Sequence, residues 1–128
     1  MKRDKFLQLS EAMTTMRTKL LKEKGEAYSG SDDAFENFKR NGERHGLSKY
    51  QIWSVYFGKH IDAITNAIKA NPEQPVDKSE GLLGRIEDAQ NYLDLLLGML
   101  VEDDILGAKA ASRLGAANSD YFTKPQEK

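Results

Sequence analysis

The segment Ser48-Lys-Tyr-Gln51, running without proline to Asn71-Pro-Glu-Gln-Pro75, constrains the fold of this chain more than any other feature. The Ser48 hydroxyl can accept a hydrogen bond from the amide of Gln51, and the Gln51 side chain can reach back to the Ser48 amide. This reciprocal arrangement opens helices. From about residue 49 to 70, Tyr50, Trp53, Tyr56, Phe57, Ile61, Ile64 and Ile68 recur mostly at helical steps and are expected on the buried side. Proline lacks an amide hydrogen and disfavours helix in the residue before it, so Asn71-Pro72 closes the segment. A helix bounded this firmly needs other helices against its apolar face.

The rest of the chain supplies them. Phe6, Leu9, Met13, Met16 and Leu20 share the helical period and predict a helix from about 4 to 24, stopped by Gly25. Ala27-Tyr-Ser-Gly-Ser-Asp-Asp33 reads as a loop, and Asp32 or Asp33 as the N-cap of a short helix carrying Phe35 and Phe38 and ending near Arg44 and Gly46. Asp77 followed by Glu80 signals a further start, with a helix over about 78–102 whose Leu82, Leu83, Ile86, Leu93, Leu96 and Leu97 are suited to burial. Asp103-Asp104-Ile-Leu-Gly107 and the alanine-rich Ala108 to Leu114 allow one more short helix. No segment alternates with the period of a strand, and no internal repeat is visible. These readings predict an all-α fold, a compact helical bundle of three long helices plus one or two short ones. A single domain over residues 1–115 is expected, with a polar C-terminal tail over 116–128.

Composition narrows the function classes. The formal net charge of -1 argues against a dedicated nucleic-acid binder, whose basic excess would show in the total. The absence of cysteine removes disulfide scaffolds, thiol catalysis and cysteine-ligated zinc. No apolar run reaches the roughly 18 residues of a membrane span, and Met-Lys-Arg-Asp-Lys leads into no signal-type run, so a cytoplasmic protein with no membrane partner is expected. Leu95, Leu96, Leu97, Met99 and Leu100 are more than one partner face can cover. Self-association as a dimer or higher homo-oligomer is expected.

Three constellations can carry chemistry. Arg85, Asp88 and Tyr92 fall on one helical stripe with Asn91 beside them; a guanidinium suits phosphate, a carboxylate Mg²⁺ and an amide a base edge. The same residues also allow a plain Arg85–Asp88 ion pair on a solvated face. Lys59-His60-Ile-Asp62 follows Trp53 and Tyr56, placing a cation and an imidazole near aromatics; Trp53 and Phe57 as core with Lys59 snorkelling is the alternative, and a lone histidine is more often packed than catalytic. Lys24-Gly-Glu-Ala-Tyr28 opens a loop rich in amides, hydroxyls and carboxylates, which is also what a simple helix–helix connection uses. There is no Gly-rich loop ending in Lys-Ser or Lys-Thr.

Lys24-Gly-Glu-Ala-Tyr28, Asn37-Phe-Lys39, Trp53…Lys59-His-Ile-Asp62 and Glu80…Gly84-Arg-Ile-Glu-Asp88…Asn91-Tyr92 occur in this order over roughly residues 20–97. Taken together they resemble a family of small helical phage and prophage proteins, related to the nucleotide-modification-associated domain. The chain is more distantly similar to the all-α MazG-like nucleoside triphosphate pyrophosphohydrolases. That resemblance implies a phage-derived nucleotide-binding protein engaged in nucleotide metabolism, modification or sequestration. Its cleft would lie between the Trp53–Asp62 and Glu80–Tyr92 helices, closed by the Lys24–Asp33 loop. Lys24, Tyr28, Trp53, Lys59, His60, Arg85, Asn91 and Tyr92 would meet the nucleotide, and Asp62, Glu80 and Asp88 would hold Mg²⁺. MazG-like enzymes carry a Glu-Glu-x-x-Glu block and a later Glu-x-x-Asp; this chain has Glu23-Lys-Gly-Glu26 and Asp88 with Glu80 or Glu87. Two alternatives stand beside the binding protein: a Mg²⁺-dependent pyrophosphohydrolase of that type, and a non-enzymatic helical dimerisation protein.

Overall fold

The computed structural model describes residues 1–28, 32–77 and 81–118, the side chains of 24–28 excepted. Among these the chain is all-α, without a strand: α1 (Arg3–Tyr28), α2 (Glu36–His45), α3 (Lys49–Ala70), α4 (Leu82–Glu102) and α5 (Gly107–Ala117). This is the helical bundle expected from the sequence, with three long and two short helices. The chain divides into two compact units, Met1–Leu96 and Leu97–Lys128. No helix among the described residues is long and apolar enough to cross a membrane.

In the first unit α3 is the central element. Its capping box is formed as read: the Gln51 amide donates to Ser48 Oγ at 3.1 Å and the Ser48 amide to Gln51 Oε1 at 2.8 Å. It ends at Ala70, where the Asn71 amide closes the last turn on Ala67. Ile52, Trp53 and Ala67 are its buried residues, and α2 packs against it with Phe38 buried.

The α2–α3 corner depends on two glycines. Gly46 sits at φ 67°, the left-handed region open to glycine, and the Leu47 amide returns to the Gly42 carbonyl at 2.9 Å. A Cβ at Gly42 would stand 2.7 Å from the Leu47 carbonyl oxygen, a backbone atom that cannot swing aside. In an ordinary helix interior Gly→Ala stabilises by about 0.5–1 kcal/mol. Here Gly42→Ala is expected to lower stability by roughly 1–3 kcal/mol, the cost of overpacking. Chemical denaturation of the variant reads this directly, and a gain in stability would contradict the close packing of the corner.

Several boundaries differ from the sequence reading. Helix α1 does not stop at Gly25 but continues to Tyr28. One helical glycine costs only about 1 kcal/mol, and the following Glu26-Ala27 are good helix formers. Neither Asp32 nor Asp33 caps α2, which starts at Glu36 after Phe35, with no side-chain cap. Asp33 instead accepts from the Phe35 amide at 2.9 Å and from Lys39 Nζ at 2.7 Å. The Lys39 hydrogen bond, then the Phe35 amide, holds its carboxyl below the usual range. The expected start of the fourth helix at 78 lies outside the described residues; the described helix begins at Leu82, after Gly81 at φ 85°.

The apolar stripes differ more. On α1, Phe6 and Leu9 are exposed, and Arg17 pairs with Asp94 of α4. On α4 the face expected to be buried is the open one. Leu83, Ile86, Leu93 and Leu97 are 60%, 41%, 48% and 37% exposed, whereas Ala89 and Asn91 are buried.

In the second unit α4 ends in a left-handed turn. Asp104 takes φ 54°, its amide donates to the Val101 carbonyl, and the Ile105 amide donates to Leu100. Helix α5 follows from Gly107 at φ 83° and runs to Ala117, beyond the boundary expected at residue 115.

Candidate functional site

One hydrogen bond sets the register of α3 against α4. Trp53 Nε1 donates to the backbone carbonyl of Tyr92 at 2.6 Å, while the indole stacks on Phe57 with centroids 4.7 Å apart. A buried indole keeps its N–H paired, which ties α3 to one turn of α4. Seven positions after Trp53, on the same face, α3 presents His60. Four positions before Tyr92, α4 presents Asp88.

These groups meet. The His60 ring lies 5.1 Å from the Tyr92 ring, and His60 Nδ1 is 4.0 Å from Asp88 Oδ2, with both side chains only 14% exposed. Phe38 of α2 completes the aromatic wall, 6.1 Å from Tyr92 and 6.2 Å from Tyr56. Three helices therefore converge on Tyr92, with an imidazole and a carboxylate beside it.

The electrostatics favour a neutral phenol. Burial, then the Asp88 carboxylate and then Tyr56, pushes the Tyr92 hydroxyl above the ordinary value of 10.0. A group whose folded pKa is raised contributes its full stability below its unfolded pKa and loses it as pH climbs through the folded value. Stability is thus expected to fall above pH about 10. Tyr92→Phe should flatten that decline in urea midpoints measured across the alkaline range. Superimposable profiles for the two proteins would contradict the assignment.

Among the described residues three buried side-chain atoms have no hydrogen-bond partner: His60 Nδ1, Asn91 Oδ1 and Glu87 Oε2. Leaving a buried polar atom unpaired costs about 1–3 kcal/mol. Such atoms cluster where a chain is arranged for something other than its own stability.

The residues singled out in the sequence are distributed as follows. His60, Asp88 and Tyr92 come together, and Asn91 is buried beside Tyr92 at 6% exposure. Lys59 is exposed one position away, its Nζ 5.5 Å from the Tyr56 ring centroid. Trp53 is buried, its N–H donating to the Tyr92 carbonyl and its ring stacked on Phe57, as the core reading of this residue has it. Arg85 Nε donates to Asp77 Oδ2 at 2.9 Å, so its guanidinium is already engaged within the chain. Asp62 is exposed. Glu80 and the side chains of Lys24 and Tyr28 lie outside the described residues. Among the described residues no three carboxylate or imidazole groups gather to hold a metal ion.

Phe38, against Tyr92, and Asp77, the partner of Arg85, are not among the site residues that the sequence suggests. Phe38 was legible as a core residue on a short helix. Asp77 was read as a helix-start signal, and its pairing with Arg85 across eight positions leaves no periodic trace.

No protein-family model, curated protein or solved structure matches this chain.

Proposed function

We propose that the chain binds a nucleotide, or a nucleotide-derived phosphorylated small molecule, against the α3–α4 contact. The observation that carries this reading is that His60 Nδ1, beside Asp88 and Tyr92, and Asn91 Oδ1, on the same helix as those two, are buried without hydrogen-bond partners. An imidazole nitrogen and an amide oxygen left without hydrogen bonds, the first at a polar point in an aromatic wall, suit a ligand that brings its own hydrogen-bonding groups. His60 and the neighbouring Lys59 offer donors to phosphate; Asn91 offers an amide to a base or sugar; Asp88 orients the imidazole. The order of the four sequence blocks supports a phage-type role in nucleotide metabolism, modification or sequestration.

The test is thermal shift and calorimetry against a panel of nucleoside mono-, di- and triphosphates, with and without Mg²⁺. A ligand present at about 100 times its dissociation constant stabilises by about 2.7 kcal/mol, a shift of several degrees. No shift and no heat at millimolar ligand, in a folded sample, would overturn the proposal. Release of pyrophosphate that EDTA abolishes would assign the same region to the pyrophosphohydrolase reading instead.

A further inference from the structure

The face of α4 that meets Arg17 of α1 carries acceptors that the chain leaves unused. Glu87, Asn91 and Asp94 follow one another at steps of four and three residues, which places them on one face of the helix. Asp94, at the end of this column, takes the Arg17 guanidinium. Glu87 Oε2 and Asn91 Oδ1, one turn apart, are buried without a hydrogen-bond partner, and Asn91 is only 6% exposed. Both atoms are oxygens that accept hydrogen bonds and donate none. Taking such an atom out of water without a donor is costly, and more so on a carboxylate. The column therefore calls for N–H groups from outside the chain.

We infer that Glu87 and Asn91 read the base of the bound nucleotide, and that this base is guanine. The inference rests on the nucleotide reading above and names the base for it. Glu87 directly precedes Asp88, and Asn91 directly precedes Tyr92, so the acceptor column runs beside the His60–Asp88–Tyr92 cluster over the same turns of α4. The two columns divide the ligand by charge. A carboxylate repels phosphate, which places the phosphates at His60 and leaves the base for Glu87.

The choice of base follows from counting donors. Guanine presents three N–H hydrogens on its pairing edge, one on the ring nitrogen N1 and two on the 2-amino group. A carboxylate accepts the N1 hydrogen and one amino hydrogen side by side, and the second amino hydrogen is left for Asn91 Oδ1. Adenine and cytosine set an unprotonated ring nitrogen against the carboxylate, acceptor on acceptor. Uracil has a single N–H between two carbonyls. Of these bases guanine alone supplies both oxygens. A buried site built to hydrogen-bond an N–H group rejects an analogue that lacks it.

Calorimetry with GTP, inosine triphosphate and ATP tests this on the unaltered protein. Inosine triphosphate differs from GTP only in lacking the 2-amino group. GTP should bind roughly 10–150-fold more tightly than inosine triphosphate, the effect of one hydrogen bond to a charged group, and more tightly still than ATP. Glu87→Gln sets an amide donor against the guanine donors and should bring GTP affinity down to about that of inosine triphosphate. Should that variant fail to fold, the comparison of the three nucleotides decides alone. Equal affinity for the three, or a preference for ATP, would overturn the guanine assignment and leave nucleotide binding standing. A preference for GTP untouched by Glu87→Gln in a folded variant would overturn the role of Glu87. Binding of none of the three would overturn both readings.

Discussion

Trp53→Ala should lower the free energy of unfolding by about 3–5 kcal/mol, the cost of removing a large aromatic side chain from a packed interior. Domains of this kind have about 5–15 kcal/mol in total. The variant is therefore expected to melt far below the wild type or to be partly unfolded. The size of the effect follows from what the indole does: it is buried, it stacks on Phe57, and its N–H holds the Tyr92 carbonyl at 2.6 Å. Trp53→Phe keeps much of the stack and loses only the donor, so it should cost less, about 1–2 kcal/mol. Because Trp53 is the only tryptophan, unfolding of both variants is best followed by circular dichroism in urea. A loss below 1 kcal/mol for Trp53→Ala would mean that α3 and α4 are not held together as described.

His60→Gln has its largest expected effect on binding and little on stability. The substitution removes an imidazole with an unpartnered buried nitrogen and leaves a side chain of similar reach. Losing a hydrogen bond to a charged phosphate costs about 1.5–3 kcal/mol, or roughly a 10–150-fold loss of nucleotide affinity by calorimetry. The melting temperature should stay within a degree or two, since no internal hydrogen bond is lost. Asp88→Asn is expected to weaken binding as well, with or without Mg²⁺, if the carboxylate acts by orienting His60. A reduction seen only with Mg²⁺ present would instead assign Asp88 to a cation. Should His60 be merely packed, His60→Gln would leave affinity unchanged and lower the melting temperature.

The sequence makes α3 legible at both ends because its stop and start signals are local: a serine and a glutamine at the right spacing, and a proline. The same logic misplaces the end of α1. There the glycine penalty is small, and the helix-forming residues beyond it prevail. Periodicity identifies which residues of α4 share a face, and both stripes were visible: Arg85, Asp88 and Tyr92 on one, leucines on the other. It does not say which stripe turns inward. Leucine-rich faces were assigned to the interior of the chain, whereas the structure turns Asp88, Asn91 and Tyr92 inward and leaves Leu83, Ile86 and Leu93 outside. The meeting of His60 with Asp88 needed the Trp53–Tyr92 register, a contact across thirty-nine positions. The partner of Arg85 comes from a connection with no period of its own.

The central claim is that a phosphorylated nucleotide engages the imidazole of His60, and the two histidines of the chain make it directly measurable. In nuclear magnetic resonance spectra the ring protons of His45 and His60 are distinguished by substituting either one. As a nucleoside triphosphate is added, the account predicts that the His60 ring signals move and saturate while those of His45, an exposed residue at the end of α2, stay in place. His60 signals unchanged at millimolar nucleotide in a folded protein, or moving only in step with those of His45, would contradict it.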